Sequence, residues 1–247
     1  MKPTLSATVI VKNNEDGLKR LLPTLSFCDE IIVVDDYSVD KTREVARKFE
    51  ARVYQRRLAG NFAELKNFAT QKAKGSWVLS VDSDEEISKR LAREIMNAVC
   101  NPSGSVYAIP RVDHWQGKAL NHTESANRGI IRLFKKGTGS FTRAVHEYYQ
   151  TSVPIGELIA PINHYPHPTV RAFVDSISFH ATLHAGENRG EGKRVTLFQV
   201  FMYPPGKFLY NYFVAGAYKE GIHGFVYSVF MSFHSFIAWA TYYTHQE

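Results

Sequence analysis

"EIIVVDDYSVDKTREVARKF" (residues 30–49) decides the fold. An unbroken apolar run, Ile31–Val34, ends in two carboxylates, Asp35 and Asp36. After a short polar turn a helical stretch begins at Asp40, an acid suited to capping its first turn. An apolar run without alternation fits a strand covered on both faces. The same grammar repeats on either side. "LSATVIV" (5–11) reads as a strand followed by a helix over 15–25. "RVYQ" (52–55) precedes a helix over 61–75, "NFAELKNFATQKAKG", closed by Gly75. "SWVLSVD" (76–82) precedes a helix over 88–99, and "SVYAIPR" (105–111) is a fifth strand. Strand and helix alternating at this spacing predict an α/β fold: a mostly parallel, Rossmann-like central sheet with helices on both faces. Ligands of such sheets bind outside the carboxyl ends of the strands. Asp35 and Asp36 stand at one such end, Asp82 and Asp84 at another.

The pattern changes at residue 112. "GIIRLFKK" (129–136) reads as a strand among loops rich in Gly, His, Asn and Arg. From 168 onward helices are expected over 168–185, 191–203, 206–219 and 222–243. The chain therefore divides into residues 1–167 and a helical region, 168–247. It has 247 residues, 44% apolar and 22% charged, which suits a folded protein and argues against disorder. A net charge of +6 is compatible with nucleic acid, anionic lipid or phosphorylated substrates and does not choose among them. Two cysteines, Cys28 and Cys100, make no disulfide framework and suit a reducing compartment. In the opening segment charges follow the apolar run too soon for a signal peptide.

The triplet Asp82–Ser83–Asp84 lies in "LSVDSDEEI" (79–87). Strand side chains two apart share a face, so both carboxylates are expected to meet one hard cation, Mg²⁺ or Mn²⁺, whose charge would relieve their repulsion. Glu85 and Glu86 read as the acidic start of the next helix. Lys66, early in its helix with Asn67 beside it, is either a solvated residue or a phosphate contact. "RLFKKGTGSFTRAVHEYY" (132–149) brings Arg132, Arg143, His146 and Glu147 together; its His-Glu pair can supply a general base, a metal ligand or a polar loop. His180 and His184, one helical turn apart, read as ordinary surface or core histidines. No G-x-G-x-x-G follows the first strand, which disfavours a dinucleotide oxidoreductase. "GEGKRV" lacks the Ser or Thr of a P-loop, having Arg194 instead, and no G-x-S-x-G elbow occurs. "GFVYSVFMSFHSFIAWATYY" (224–243) carries no Asp, Glu, Lys or Arg. Its serines at helical spacing, and the aromatic, lysine-bearing segment before it, favour a helix pair lying in a membrane interface over a span or a buried dimer helix.

Taken together, "ATVIVKNNEDGLKRLLPTL", "DEIIVVDDYSVDKT" and "GNFAELKNFATQKAKGSWVLSVDSDEE" resemble the family 2 glycosyltransferases, which have the GT-A fold. "RGIIRLFKK", "AVHE" and "KFLYNYFVAGAYKEGIHGFVYSVF" resemble more narrowly the lipopolysaccharide core glucosyltransferase-like subgroup. The resemblance implies a metal-dependent hexosyltransferase using a nucleotide sugar, usually UDP-linked. It places Lys12, Asn13, Asp35, Asp36, Lys66, Asp82, Ser83, Arg128 and Arg132 at the nucleotide sugar. Asp35 and Asp36 would contact base and ribose. Asp82, Asp84 and His146 would serve Mg²⁺ or Mn²⁺, and Glu147 would be the acceptor-side base. Tyr37 departs from the commoner Asp-Gly-Ser form and narrows the nucleotide pocket. Expected partners are the donor, a glycan or lipid-linked acceptor, the cytoplasmic membrane surface through the C-terminal helices, and a second copy of the chain; nucleic acid is not expected. A sugar-phosphate nucleotidyltransferase and a non-catalytic, membrane-docked nucleotide-sugar-binding module are the alternatives. The first is disfavoured by "KNNEDG", where a Gly-rich basic segment would follow the first strand.

Overall fold

The computed structural model describes residues 3–124, 126, 128–144, 147–166, 169–177 and 196–244. The chain forms two compact units: residues 1–111 with 127–164, and residues 112–126 with 165–247.

In the first unit β1 (Leu5–Val11) lies between β2 (Glu30–Asp35) and β4 (Trp77–Asp82), parallel to both, and β3 (Arg52–Gln55) extends the parallel run beyond β2. Register sets Val11 beside Asp35 and Ile10 beside Asp82, so both acidic strand ends open at one edge. β8 (Gly129–Lys135) pairs antiparallel with β4 and with β6 (Val106–Trp115), making the sheet mixed rather than all parallel. The order along the sheet is β3-β2-β1-β4-β8-β6, then β12 (Ile162–His164) and β5 (Glu85–Glu86), with β11 (Ile155–Glu157) also on β6. β5 (Glu85–Glu86) pairs antiparallel with β12 (Ile162–His164). A separate hairpin joins β9 (Gly139–Thr142) to β10 (Tyr148–Thr151).

Both faces are covered, as the continuous apolar runs require. Leu5, Ala7, Val9 and Val11 of β1 and Val33 of β2 pack with Leu18 and Leu21 of α1 (Glu15–Leu21), Val45 and Ala46 of α2 (Thr42–Lys48), and Leu91 and Ile95 of α4 (Lys89–Cys100). Ile32 and Val34 of β2 turn the other way, onto Ala63, Leu65 and Ala69 of α3 (Phe62–Lys72). α4 buries Leu91, Ile95, Ala98 and Val99, one stripe at helical spacing, and Ser88 caps it by accepting the Leu91 N–H at 3.1 Å.

Three local expectations need correction. Helix α4 starts at Lys89, not at Glu85 and Glu86, which instead form the short strand β5. Asp40 is not the N-cap of α2; Lys41 occupies that position, and Asp40 Oδ1 accepts the Thr42 N–H at 3.0 Å. Gly75 does not close α3, whose C-cap is Ala73. Its lack of a side chain serves close approach, since a Cβ there would lie 2.5 Å from Ser6 Oγ.

In the second unit the end of β6 pairs with β7 (Lys118–Leu120). Residues 170–177 are helical (α5), followed in the described chain by α6 (Leu197–Leu209), a π-helical turn (Tyr210–Val214), a 3₁₀ turn (Ala217–Glu220) and α7 (Ile222–Thr244). Trp115, Leu120, Phe173, Ile177 and Tyr227 form a core. The helix expected to end at 203 instead runs through Pro204 and Pro205, and the one expected over 206–219 breaks at Gly216, in the left-handed region at φ 86°. Two serines of α7 face inward: Ser228 is buried and bonds the Gly224 carbonyl, and Ser232 donates to the Pro204 carbonyl of α6 at 2.7 Å. Glu220, also buried, accepts the N–H groups of Asn121 and His122 at 2.9 and 3.1 Å and sits 3.3 Å from Lys118 Nζ. Among the described residues no helix is long and apolar enough to cross a membrane.

Candidate active site

At the end of β4 the two oxygens of Asp82 meet two buried cations. Lys66 Nζ of α3 lies 2.8 Å from Oδ1, and Arg132 Nη2 of β8 donates to Oδ2. Each cation then reaches a second carboxylate. Lys66 Nζ lies 2.6 Å from Glu147 Oε1, and Arg132 Nη2 donates to Glu85 Oε1 at 2.7 Å. Glu85 turns its other oxygen back to the Asp82 N–H at 2.8 Å. The result is one alternating chain, Glu147–Lys66–Asp82–Arg132–Glu85. Lys66 and Arg132 are each only 3% exposed, so neither keeps a water shell, and the alternation of charge compensates their burial. Arg132 keeps one buried donor, Nε, without a protein partner.

Side chains of the protein thus compensate the charge of Asp82 in this arrangement. Lys66 is buried, unlike a solvated helix residue. Burial opposes ionisation of Asp82, but the adjacent Arg132 and Lys66 charges outweigh it and hold the carboxyl well below its usual range. Glu85 goes the other way: burial raises it, and Arg132 only partly offsets this. Burial opposes the charge of Arg132 too, yet Asp82 and Glu85 hold it above its ordinary value.

Asp84 lies in the turn that follows the end of β4 at Asp82. Its Oδ2 lies 3.3 Å from His164 Nε2 of β12. Burial raises Asp84, but the His164 charge prevails and lowers it. β5 and β12 build this meeting, since His164 pairs in register with Glu85. Ser83 Oγ accepts from Asn14 Nδ2 at 3.1 Å. A Cβ on Gly17 would lie 2.3 Å from the Ser83 carbonyl oxygen, so a glycine lets α1 approach the turn. Asn67, next to Lys66, bonds both the N–H and the carbonyl of Phe141 at 2.8 Å. Adjacent residues of α3 thus fix the β9 strand and the Glu147 carboxylate.

The end of β2 is built differently. Asp35 is fully buried; both its oxygens accept the Ser38 N–H, at 3.1 and 3.2 Å, and Oδ2 also accepts Gln55 Nε2 at 3.3 Å. It holds the turn and presents no surface to a ligand. Asp36 accepts the Leu58 N–H at 3.1 Å and Lys12 Nζ at 2.9 Å. Asn13 joins the same edge, its N–H donating to Ser38 Oγ and its Oδ1 accepting the Val39 N–H, both at 2.8 Å. Arg128 is exposed, immediately before β8. His146, His180, His184 and Arg194 lie outside the described residues.

Sequence reasoning missed two residues, Glu85 and His164. Glu85 looked like a helix start, and the signal against it was Ser88, a better cap three residues later. His164 carried no local signal.

The expected Mg²⁺ or Mn²⁺ fits part of this donor set. Both oxygens of Asp82 face cations in this arrangement, so Asp82 would have to exchange one of them to hold a metal. Among the described residues no three His, Cys, Asp or Glu side chains are grouped to hold a metal ion. Asp84 and His164 offer one carboxylate and one imidazole nitrogen, which suits a cation that completes its shell with substrate phosphates and water.

Comparison with known proteins agrees with this architecture. The family described as "Glycosyl transferase family 2" matches residues 6–156. The lipopolysaccharide core biosynthesis glycosyltransferase LpsC of Rhizobium meliloti is 25% identical, the match covering 98% of this chain and 93% of that protein. An uncharacterized glycosyltransferase of Rickettsia typhi is 26% identical over 94% of this chain and 84% of its own. Among solved structures, the mannosyltransferase PcManGT of Pyrobaculum calidifontis, in complex with GDP-Man and Mn²⁺, aligns with a TM-score of 0.55 at 14% identity, covering 100% of this chain and 89% of its own. Residues 1–349 of S. aureus TarS, in complex with UDP-GlcNAc, align with a TM-score of 0.52 at 18% identity, covering 73% of this chain and 66% of theirs. This chain spans 39% of a longer TarS chain. Both solved structures share the mixed, mostly parallel α/β architecture expected of GT-A. With the family match running from β1 to β11, the chain belongs to glycosyl transferase family 2.

Proposed function

We propose that the protein is an inverting hexosyltransferase that moves a sugar from a UDP-linked donor to a lipid-anchored glycan of the lipopolysaccharide core type. The observation that carries the reading is the buried chain Glu147–Lys66–Asp82–Arg132 at the carboxyl end of β4. The acceptor class rests on the likeness to LpsC. Residues 1–167 bind the donor and perform the transfer, and residues 168–247 meet the membrane.

Glu147 is the base. Its carboxylate takes the proton of the acceptor hydroxyl as that oxygen bonds to the anomeric carbon. The bond from that carbon to the diphosphate breaks on the opposite face, which inverts the centre through a cation-like transition state. Lys66 holds Glu147 in place and, with Arg132, sets fixed positive charge beside the carboxylates without reorganisation during the reaction. Arg128, exposed before β8, is a donor for the diphosphate or a phosphorylated acceptor, and buried Arg132 fixes positive charge behind it. Lys12, Asn13, Asp36 and Ser83 line the nucleotide side, while Asp35 holds their turn. Asp84 and His164 would hold Mg²⁺ or Mn²⁺, which when bound supplies positive charge at the leaving diphosphate.

The membrane surface is supplied by the second unit. Phe198, Phe201 and Met202 of α6 and Ile222, Phe225, Val229, Phe233 and Phe236 of α7 are exposed. Over 197–244 the one carboxylate is Glu220, which is buried, so no acidic side chain opposes an anionic cytoplasmic leaflet.

The test is nucleotide release from a panel of nucleotide sugars with Mn²⁺, in wild type and Glu147→Gln. Turnover in wild type with loss in the variant supports the reading. Donor binding without turnover on any lipid-linked glycan would favour the non-catalytic module. For the membrane, flotation with phosphatidylglycerol-containing liposomes is expected for wild type and reduced for Phe201→Ser/Phe233→Ser. Equal flotation would remove the docking face.

A further inference from the structure

Tyr37 stands at the edge of the sheet with a conformation its side chain does not favour. Its φ is 52°, in the left-handed region where glycine is the default and a bulky residue is an outlier. Such positions persist when something else requires the side chain. Burial does not supply the reason, because Tyr37 is 46% exposed. It is nevertheless fixed. Asp36 before it is tied to Lys12 and to the Leu58 N–H. Ser38 after it donates its N–H to Asp35 and accepts the Asn13 N–H. The loops after β1, β2 and β3 are thereby knitted together around this one residue, at the edge where parallel sheets bind ligands. From the β3 loop, Arg57 sets its guanidinium 4.7 Å from the centre of the Tyr37 ring. The pair is a cation on an aromatic face that leaves ring surface open.

We infer that Tyr37, backed by Arg57, is the platform on which the base of the nucleoside diphosphate donor stacks, and that Tyr37 sets which bases the site accepts. The inference rests on the donor reading above and adds to it a specificity residue. A base offers a π-face whatever its identity, and a held aromatic offers a complementary one at little cost in side-chain freedom. Asp36 and Lys12, on the same edge, supply the polar contacts that stacking does not. A glycine at this position would relieve the backbone and widen the site. Tyrosine takes up that space, and the smaller pyrimidine of UDP is expected to be preferred over the larger purine of GDP.

The test is titration calorimetry of the full chain with UDP, GDP and inorganic pyrophosphate in Mn²⁺, alongside thermal melting. Wild type is expected to bind UDP more tightly than GDP. Tyr37→Gly is expected to weaken UDP about tenfold, the equivalent of one stacked base, and to narrow the UDP-to-GDP preference. Its melting temperature and its affinity for pyrophosphate, which has no base, stay near wild type. Tyr37→Phe retains UDP affinity within about threefold, and Arg57→Ala falls between the two. The platform is overturned if wild type binds UDP and Tyr37→Gly binds it equally well, or if UDP and pyrophosphate weaken together. Should Tyr37→Gly fail to fold, undiminished UDP binding by Arg57→Ala and loss of binding in Tyr37→Phe would overturn it as well. If wild type binds neither nucleotide, the donor reading falls and the platform with it.

Discussion

The ends of β2 and β4 look alike in sequence: an apolar run, then two carboxylates. The protein compensates them by different means. At β2, buried Asp35 is held at hydrogen-bond distance by neutral donors, the Ser38 N–H and the Gln55 amide, while the cations there, Arg43 at 3.8 Å from Asp35 and Lys12 on Asp36, are open to solvent. At β4, Asp82 is held by two full positive charges from distant elements, Lys66 and Arg132. Amide donors shape a loop and leave little field behind. Buried cations between carboxylates leave a preorganised field and groups able to exchange partners when a substrate arrives. The first end is therefore a scaffold, and the second is where charge can be used.

Three substitutions at the β4 end would break the comparison most forcefully. Glu147→Gln keeps the shape of the site but removes the proposed base, and is expected to lower kcat by about 10²–10⁴-fold with little change in donor affinity. A turnover assay under donor saturation checks this, and unchanged kcat would mean that the chemistry lies elsewhere. Arg132→Met leaves buried Glu85 facing part-buried Asp82 without their shared cation, and Lys66→Met does the same to part-buried Asp82 and Glu147. Each is expected to cost about 3–5 kcal/mol of stability, as when one partner of a buried pair is removed. Urea denaturation measures it. A loss below about 1 kcal/mol would reduce the network to an ordinary surface arrangement.

Acid sharpens the contrast, and its sign follows from the individual groups. Asp82 and Asp84 have folded pKa values held below their unfolded ones. Their stabilisation is fully present above an unfolded pKa of about 3.9 and is lost as pH falls through the folded values. Glu85 is raised, so its contribution runs opposite: it favours the fold at low pH and weakens as pH rises through its folded pKa. Thermal melting from pH 7 down to about pH 3 should show wild type losing more stability on acidification than Asp82→Asn does, because the variant lacks the group with the strongest depression. Parallel curves for the two proteins would refute that assignment.

The framework was legible because its signals are local. Nearly continuous apolar runs within 5–11, 30–35 and 76–82 mark doubly covered strands, and the stripe of Leu91, Ile95, Ala98 and Val99 marks a helix with one buried face. Asp82, Lys66, Arg132 and Glu147 were each singled out, but their joining was not visible. It depends on β8 inserting antiparallel beside β4 and on α3 fixing the β9 strand through Asn67, contacts no local pattern encodes. Glu85 was misread for the same reason. An acid before a helix fits the helix dipole, whereas β5 exists only through its pairing with β12. In α6, prolines normally stop a helix, so the sequence placed a break at Pro204 that the chain does not make.

The smallest effects belong to the β2 end, where Asp35 is held at hydrogen-bond distance by neutral donors and the cations, Arg43 and Lys12, are open to solvent. Asp35→Ala leaves the Ser38 N–H and the Gln55 amide without their acceptor and is expected to cost about 1–3 kcal/mol. Ser38→Ala removes only the hydroxyl that accepts the Asn13 N–H, a part-buried bond, and should cost about 0.5–1.5 kcal/mol. Because that bond joins the β1 and β2 loops rather than the charged network, its loss should leave the acid sensitivity of the protein unchanged. A Ser38→Ala variant that instead altered the pH dependence of unfolding would show that the two strand ends are coupled, and that the scaffold at β2 helps to set the charge at β4.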